Sequence, residues 1–342
     1  MERNEFQGLG SIRIVSHVSP IDGCDNIHLI RVDGWNVIAT KDINVGDMIV
    51  YCEIDSILPK ENPNFTFLDG KKIKTKKMKG VISQGIVFPL SVLPPEITPT
   101  IGLDVTQVLG ITKWESESDA EGNRGGRTES ETSFPSFIIK TDENRVQNQG
   151  RMLQEILPLD LSFYVTEKLD GTSCTIYKKD GIIGVCSRNL QVKEFTSTGE
   201  TNHYWEMYRK YDFDKILSNI DMIVIQGEIV GVGIQNNKYK KSDKELYIFN
   251  IISLNGYKKF SPTEIKQFCD EFGLKHVPIL DNNFKLPSEN TIDELVKYSV
   301  GNSMLNPTVK REGVVIRSCN TDLPQGQISF KVINPEFLLK YE

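Results

Sequence analysis

The sequence predicts an α+β fold in two parts: a small N-terminal β-barrel, then a larger domain built mainly on antiparallel sheet. Three observations predict it. At 342 residues the chain exceeds what one ordinary core accommodates. Residues 11 to about 110 carry short strands at close spacing, with turn residues and no helical period between them. The segment 115–133, "ESESDAEGNRGGRTESETS", holds no aromatic, Leu, Ile, Val or Met residue, and so reads as a flexible linker between residues 1–114 and 134–342.

In the first part, "SIRIVSHVSPI" alternates and ends in a Pro turn. "IHLIRVDGWNVIAT" carries an Asp-Gly turn signal before Trp35, and "DMIVYCEI" is another strand. Within "DGKKIKTKKMKGVISQGIVFPL" lie Lys71, Lys72, Lys74, Lys76, Lys77 and Lys79. Such a run is either a solvated hairpin tip that protects an edge strand or a surface for a nucleic-acid phosphate backbone.

In the second part, order resumes at "FPSFIIKTDENRVQN". Hairpin-like strands run from Phe163 to Ile252, interrupted by a helical stretch near "TNHYWEMYRKYDFDKILSNI". A helix is expected at "SPTEIKQFCDEFG", with Ser261 as cap, Pro262 at its first position and Gly273 just past its end. "TIDELVKYSV" reads as a further helix, and "EGVVIRS" and "QISFKVI" as two closing strands.

Composition narrows the function classes. No run of about 18 apolar residues exists, which argues against a membrane span, and "MERNEFQGLGSIRIV" has no apolar signal core. Six scattered cysteines form no Cys-x-x-Cys pair, and four distant histidines form no metal motif. A reducing, cytoplasmic setting is expected. With a net charge of −6, any nucleic-acid binding must come from local patches.

The chemistry-bearing residues sit on strands or strand ends. "EKLDGTSCTIY" puts Lys168 and Asp170 beside Gly171. "GVCSRN" supplies Arg188, "MIVIQGEIVGVGI" Glu228, "LYIFNI" Phe249, "KREGVVIR" Glu312 and "ISFKVI" Lys331. Singly, each has a plain explanation: a surface cation, a water-facing carboxylate, a core aromatic, a snorkelling lysine. Together, two lysines, one arginine and three acids suggest a pocket for phosphate and metal.

The order KLDG, SRN, GEIVG, YIFN, EGVVIR, FKV resembles the nucleotidyltransferase motifs of the covalent ligase and capping-enzyme superfamily. It is most similar to ATP-dependent RNA ligases of the nick-sealing kind that carry an N-terminal OB-type domain, as in the Deinococcus-type ligase. "FPSFIIKTDENRVQN" and "ITKW" have counterparts in that group, so the likeness covers nearly the whole chain. The resemblance implies that residues 1–114 form an OB-like RNA-binding domain and residues 134–342 an adenylyltransferase domain. It implies an enzyme joining 3′-hydroxyl and 5′-phosphate ends of RNA, as a monomer, through lysyl-AMP and RNA-adenylate. A DNA ligase, a capping guanylyltransferase using the same covalent chemistry, and a non-catalytic nucleic-acid-binding protein remain alternatives.

The resemblance further implies roles. Lys168 is the nucleophile; Asp170, Glu228, Glu312 and Lys331 share the catalytic work. Lys140, Arg145, Glu167, Gly171, Ser173, Arg188, Glu228, Phe249 and Lys331 contact ATP or AMP, with Phe249 stacked on adenine and Arg145 on the leaving pyrophosphate. Gly171 is expected to let the nucleotide approach the backbone. Magnesium, or manganese, suits Asp170, Glu228 and Glu312, directly or through water, because such ions prefer oxygen ligands and retain waters. The six lysines of the hairpin become candidate RNA contacts. Two departures stand out: Ile333 replaces the second lysine of the last motif, and Ser173 stands where some relatives have asparagine.

Overall fold

A computed structural model describes residues 8–114, 128–321, 323–324 and 326–342. The N-terminal part is a nearly closed five-stranded antiparallel barrel. Its strand order is Trp35–Thr40, Ile27–Val32, Gly10–Pro20, Met48–Cys52 and Ile86–Phe88. The alternating sequence puts one face of each strand inward, so Ile12, Ile30, Val32, Trp35, Val37 and Val50 are fully buried. The barrel closes where the Ile38 N–H donates to Ser83 Oγ (2.9 Å) and the Gln84 N–H to the Asn36 carbonyl (2.8 Å).

The second part holds two antiparallel sheets. The larger runs through Ser130–Ser133, Leu190–Val192, Ile182–Cys186, Thr172–Lys179, Ile223–Val230, Glu245–Ser253 and Lys258–Lys259; Lys275–His276 joins Glu245–Ser253 in parallel. The smaller has the order Ile279–Phe284, Phe163–Lys168, Gly313–Ser318, Ser329–Ile333. The helix Pro262–Phe272 starts at a Ser261–Glu264 capping box and ends at Gly273 with φ 65°, as its sequence predicts.

Several expectations are corrected. Residues 115–127 of the expected linker lie outside the described residues, and its last four, Ser130–Ser133, form a fully exposed edge strand against Leu190–Val192. An edge strand needs ladder hydrogen bonds but no apolar side chains, so its composition mimics a loop. The helical stretch near 203–216 is split in two, His203–Lys210 and Phe213–Ile216, by Asp212 at φ 51°. The chain closes not with a strand but with a helix, Pro335–Tyr341, whose Asn334 side chain caps the Glu336 N–H. Ile333, Phe337 and Leu338 bury into the barrel core, so the end of the chain ties the two parts together.

Candidate active site

The Lys-x-Asp-Gly segment is the crossover between the two sheets. The strand Phe163–Lys168 belongs to the smaller sheet, and Thr172–Lys179, three residues later, to the larger. Buried Leu169 anchors the step between them. Lys168 pairs in register with Gly313, which brings the adjacent Glu312 beside it, and the Lys168 ammonium donates to Glu312 Oε1 at 2.5 Å. Burial alone lowers the affinity of Lys168 for its proton. The carboxylates Glu312, Glu228 and Asp170 outweigh that, so its pKa lies above the ordinary value. Burial pushes the Glu312 carboxyl up despite Lys168. Its second oxygen, Oε2, is buried without a hydrogen-bond partner.

A second cation enters from the strand Ser329–Ile333. The Lys331 N–H donates to the Asn144 carbonyl at 2.8 Å, and Arg145 bridges to Lys331 in parallel. Burial, then the positive charges of Arg145 and Lys168, press the Lys331 ammonium down from 10.5 to about 7. Arg145 donates through Nη2 to Asp55 Oδ2 at 2.7 Å, while its Nη1 is buried and unpartnered. Arg188 forks onto both oxygens of Asp142, and exposed Lys140 reaches Asn189 Oδ1 at 3.3 Å. Two lysines and two arginines therefore surround one region, with Asp55 and Asp142 as counter-charges. Such a cluster suits a polyphosphate.

Phe249 owes its placement to a bulge. Gln226 pairs with Asn250 and Gly227 with Ile248, which leaves Phe249 as the extra residue of the strand Glu245–Ser253. Bulges re-aim side chains, and Phe249 is half-buried, like Asn250 after it, whereas Ile248 before it is buried. The Arg317 guanidinium lies over its ring, 6.0 Å from the centroid.

Other expected site residues are placed differently. A Cβ at Gly171 would meet the Ile229 carbonyl oxygen at 2.3 Å, so strand packing already requires the glycine, whatever the nucleotide does. Ser173 Oγ is 2.8 Å from Thr141 Oγ1, and Glu167 is fully buried, accepting from the Met304 N–H at 2.8 Å. Ile333 lies in the core shared with the barrel, where a lysine would meet apolar side chains.

The six hairpin lysines separate into two groups. Lys76, Lys77 and Lys79 are exposed on a hairpin that turns at Lys79 and Gly80, with φ 49° and 82°; Lys71, also exposed, pairs with Asp69 at 3.2 Å. The side chain of Lys72 is 7% exposed, pairs with Asp55 (2.9 Å) and Glu342 (3.2 Å), and lies over the Trp114 ring at 3.9 Å. Lys74 donates to the Glu342 carbonyl. Both lysines tie the barrel to the end of the chain; Lys72 is closed in by its partners, whereas Lys74 stays exposed.

For the metal, no three His, Cys, Asp or Glu side chains among the described residues converge as a direct ligand set. The unpartnered Glu312 Oε2 and the burial-raised Asp170 and Glu312 carboxyls nonetheless fit a hydrated divalent cation, which would relieve both.

Sequence reasoning missed Lys238. Its ammonium donates to Asp170 and lies over the Phe337 and Tyr341 rings at 5.5 and 5.9 Å. The neighbouring Tyr239 hydroxyl accepts from the Asp170 N–H at 2.7 Å. "GIQNNKYKK" has an obvious loop composition, but nothing in it says that the loop folds back over the nucleophile motif. Asp55 and Asp142 were missed for the same reason.

Comparison with known proteins agrees with this geometry. The RNA ligase family model matches residues 161–333, and an OB-fold domain model matches residues 9–90. No curated protein matches the sequence. An aspartate-to-alanine variant of the RNA ligase of Naegleria gruberi, in its apo form, superposes with TM-score 0.85 at 33% identity, covering 97% of this chain and 98% of that one. A lysine-to-alanine variant of that ligase, with ATP and manganese, gives TM-score 0.84 at 33% identity, covering 97% and 99%. The Naegleria ligase with pyrophosphate gives 0.84 at 34% identity, covering 98% and 99%. With half the chain inside the family model and 97–98% of its length shared with solved ligases at one-third identity, this protein belongs to the RNA ligase family.

Proposed function

We propose that this protein is an ATP-dependent ligase that seals 3′-hydroxyl/5′-phosphate breaks in RNA, at nicks held in a duplex, in the manner of the Deinococcus-type ligases. The observation that carries the reading is Lys168 at the crossover of two sheets, with an acid at 2.5 Å and a second, half-buried lysine, Lys331, in the same field. Family membership and the likeness to Naegleria ligase structures containing ATP, AMP or pyrophosphate support it.

The chemistry is three nucleotidyl transfers. The Lys168 amine attacks the α-phosphorus of ATP; a P–N bond forms, the bond to the β-phosphate oxygen breaks, and pyrophosphate leaves. A 5′-phosphate oxygen of RNA then attacks the same phosphorus, releasing the lysine and forming a 5′–5′ pyrophosphate linkage. Finally a 3′-hydroxyl attacks the activated 5′-phosphate, and AMP leaves.

Lys168 must lose a proton before it attacks. Glu312 Oε1 is placed to accept it, and burial favours the protonated acid that results. Lys331 and Arg145 neutralise charge on the phosphates. Phe249 provides the face for adenine, and Arg188, held by Asp142, the ribose or phosphate contact. Asp170, Glu228 and Glu312 would hold magnesium or manganese, which supplies Lewis-acid neutralisation of phosphate charge when bound.

Incubation with ATP labelled at the α-phosphate tests the reading. The wild-type chain should gain one AMP on Lys168, seen as a mass shift, and Lys168→Ala should gain none. Persistent acid-labile labelling of Lys168→Ala would remove the basis of the proposal. Labelling by GTP in place of ATP would favour a capping activity, and a panel of nicked duplexes with RNA or DNA on each side would establish the substrate.

A further inference from the structure

Residues 231–244 join the strands Ile223–Val230 and Glu245–Ser253 through a costly backbone. Gly231 and Gly233 adopt φ 125° and 78°. Four non-glycine residues, Gln235, Asn236, Asn237 and Lys240, lie in the left-handed region at φ 45°, 57°, 46° and 54°. Side chains hold that shape. Asn237 donates through Nδ2 to the Lys241 carbonyl at 2.8 Å and accepts through Oδ1 from the Lys241 N–H at 3.0 Å. Asn306 Nδ2 donates to the Tyr239 carbonyl at 3.2 Å, and the hydroxyl of buried Tyr239 accepts from the Asp170 N–H at 2.7 Å. Gln235 Nε2 reaches the Gly171 carbonyl at 3.4 Å.

Both neighbours of Lys238 are therefore fixed, and the loop is tied to the nucleophile motif without its help. What is left to move is the flexible four-carbon stem of Lys238. Its ammonium donates to Asp170 Oδ2, with 15% and 16% of the two side chains exposed. The rings of Phe337 and Tyr341 lie 5.5 and 5.9 Å from the same ammonium and 4.9 Å from each other. One cation thus has two attractive stations, a carboxylate and a pair of aromatic rings.

Lys168 is engaged by Glu312 at 2.5 Å, so the ammonium in contact with Asp170 is that of Lys238. A divalent cation and an ammonium on one carboxylate repel each other, most strongly where water is largely excluded.

We propose that Lys238 is a built-in competitor for the metal: a divalent cation reaches Asp170 only by displacing the Lys238 ammonium, which then rests against Phe337 and Tyr341. This rests on the reading of Asp170 as a metal-holding carboxylate of the ligase. The ion pair thereby weakens metal binding to the protein alone.

The test titrates the full chain with manganese chloride, without nucleotide, and follows free manganese by its spin-resonance signal. Lys238→Met and Lys238→Gln, which remove one positive charge beside the carboxylate, should bind manganese on the order of tenfold more tightly than wild type. Manganese should also raise their melting temperatures by more than it raises that of wild type. Lys238→Arg, which keeps the charge, should stay near wild type. In an Asp170→Asn background, Lys238→Met should change nothing. Manganese affinity unchanged, weaker or undetectable in both neutral variants, or neutral variants that do not fold, would overturn the proposal by showing that Lys238 is only a structural bridge. Tightening that persists in the Asp170→Asn background would overturn it as a general effect of charge. A wild-type chain that takes no AMP from ATP would instead count against the ligase reading.

Discussion

Replacing Lys331 by methionine should make the protein more stable at neutral pH while destroying AMP transfer. The side chains are similar in length, so the change removes a charge at little cost in shape. Burial, with Arg145 and Lys168 nearby, lowers the Lys331 ammonium from 10.5 to about 7. Because the folded value lies below the unfolded one, the unfolded chain binds more protons between those limits, and stability rises with pH across that window. Holding the charged lysine in place costs ~4 kcal/mol at pH 7 and ~1 kcal/mol at pH 10, taking about 1.4 kcal/mol per tenfold change in proton affinity. Partial exposure of the residue makes these figures ceilings. Thermal unfolding of both proteins between pH 6 and 10 provides the assay. Lys331→Met should melt several degrees higher at pH 7, and the gap should close as the pH rises. A variant no more stable than wild type at pH 7, or an advantage that does not shrink by pH 10, would refute the reasoning.

Three further outcomes follow from the same site. Binding of pyrophosphate near pH 7 should take up protons, because the new anion raises Lys331 back above neutrality; calorimetry in two buffers of different ionisation enthalpy measures this, and a buffer-independent heat would contradict it. Glu312→Ala should destabilise the fold by about 1–3 kcal/mol, because it leaves the half-buried Lys168 without its nearest partner, and Lys168→Met/Glu312→Ala should recover most of that in denaturant titrations. Among the hairpin lysines, reversing Lys76, Lys77 and Lys79 should weaken RNA binding and flatten its salt dependence, whereas Lys72→Glu should lower the melting temperature through repulsion from Asp55 and Glu342; filter binding across salt concentrations and thermal melts separate the two.

What the sequence by itself determined is the set of parts whose signals are local. Alternation and turn residues placed the barrel strands, since a side-chain period of two shows directly in the chain. The capped helix at Ser261 was legible because its hydrogen bonds join residues three apart. The order of the strand motifs named the family because each pocket residue lies in a recognisable run. The closing helix has local signals too, Asn334 as cap and Pro335 at its first position, but its seven residues are too short to show a helical period, and the sequence reading stops at the strand before it.

Tertiary structure alone decided how the parts meet. The Phe249 bulge depends on pairing with Gln226 and Gly227, more than twenty residues away in the chain, so composition carries no trace of it. The glycine of the nucleophile motif was expected to serve the nucleotide, but the Ile229 carbonyl already demands it. Lys72 and Lys76 look alike in sequence; one is buried between two carboxylates and the other lies in water. The partners of Lys168, Asp170 and Arg145 are Glu312, Lys238 and Asp55, separated from them by 144, 68 and 90 residues. A residue's type limits what it can do, but its field comes from neighbours that only the folded chain assembles, and that field sets the charge on Lys331 and the free edge of Arg145.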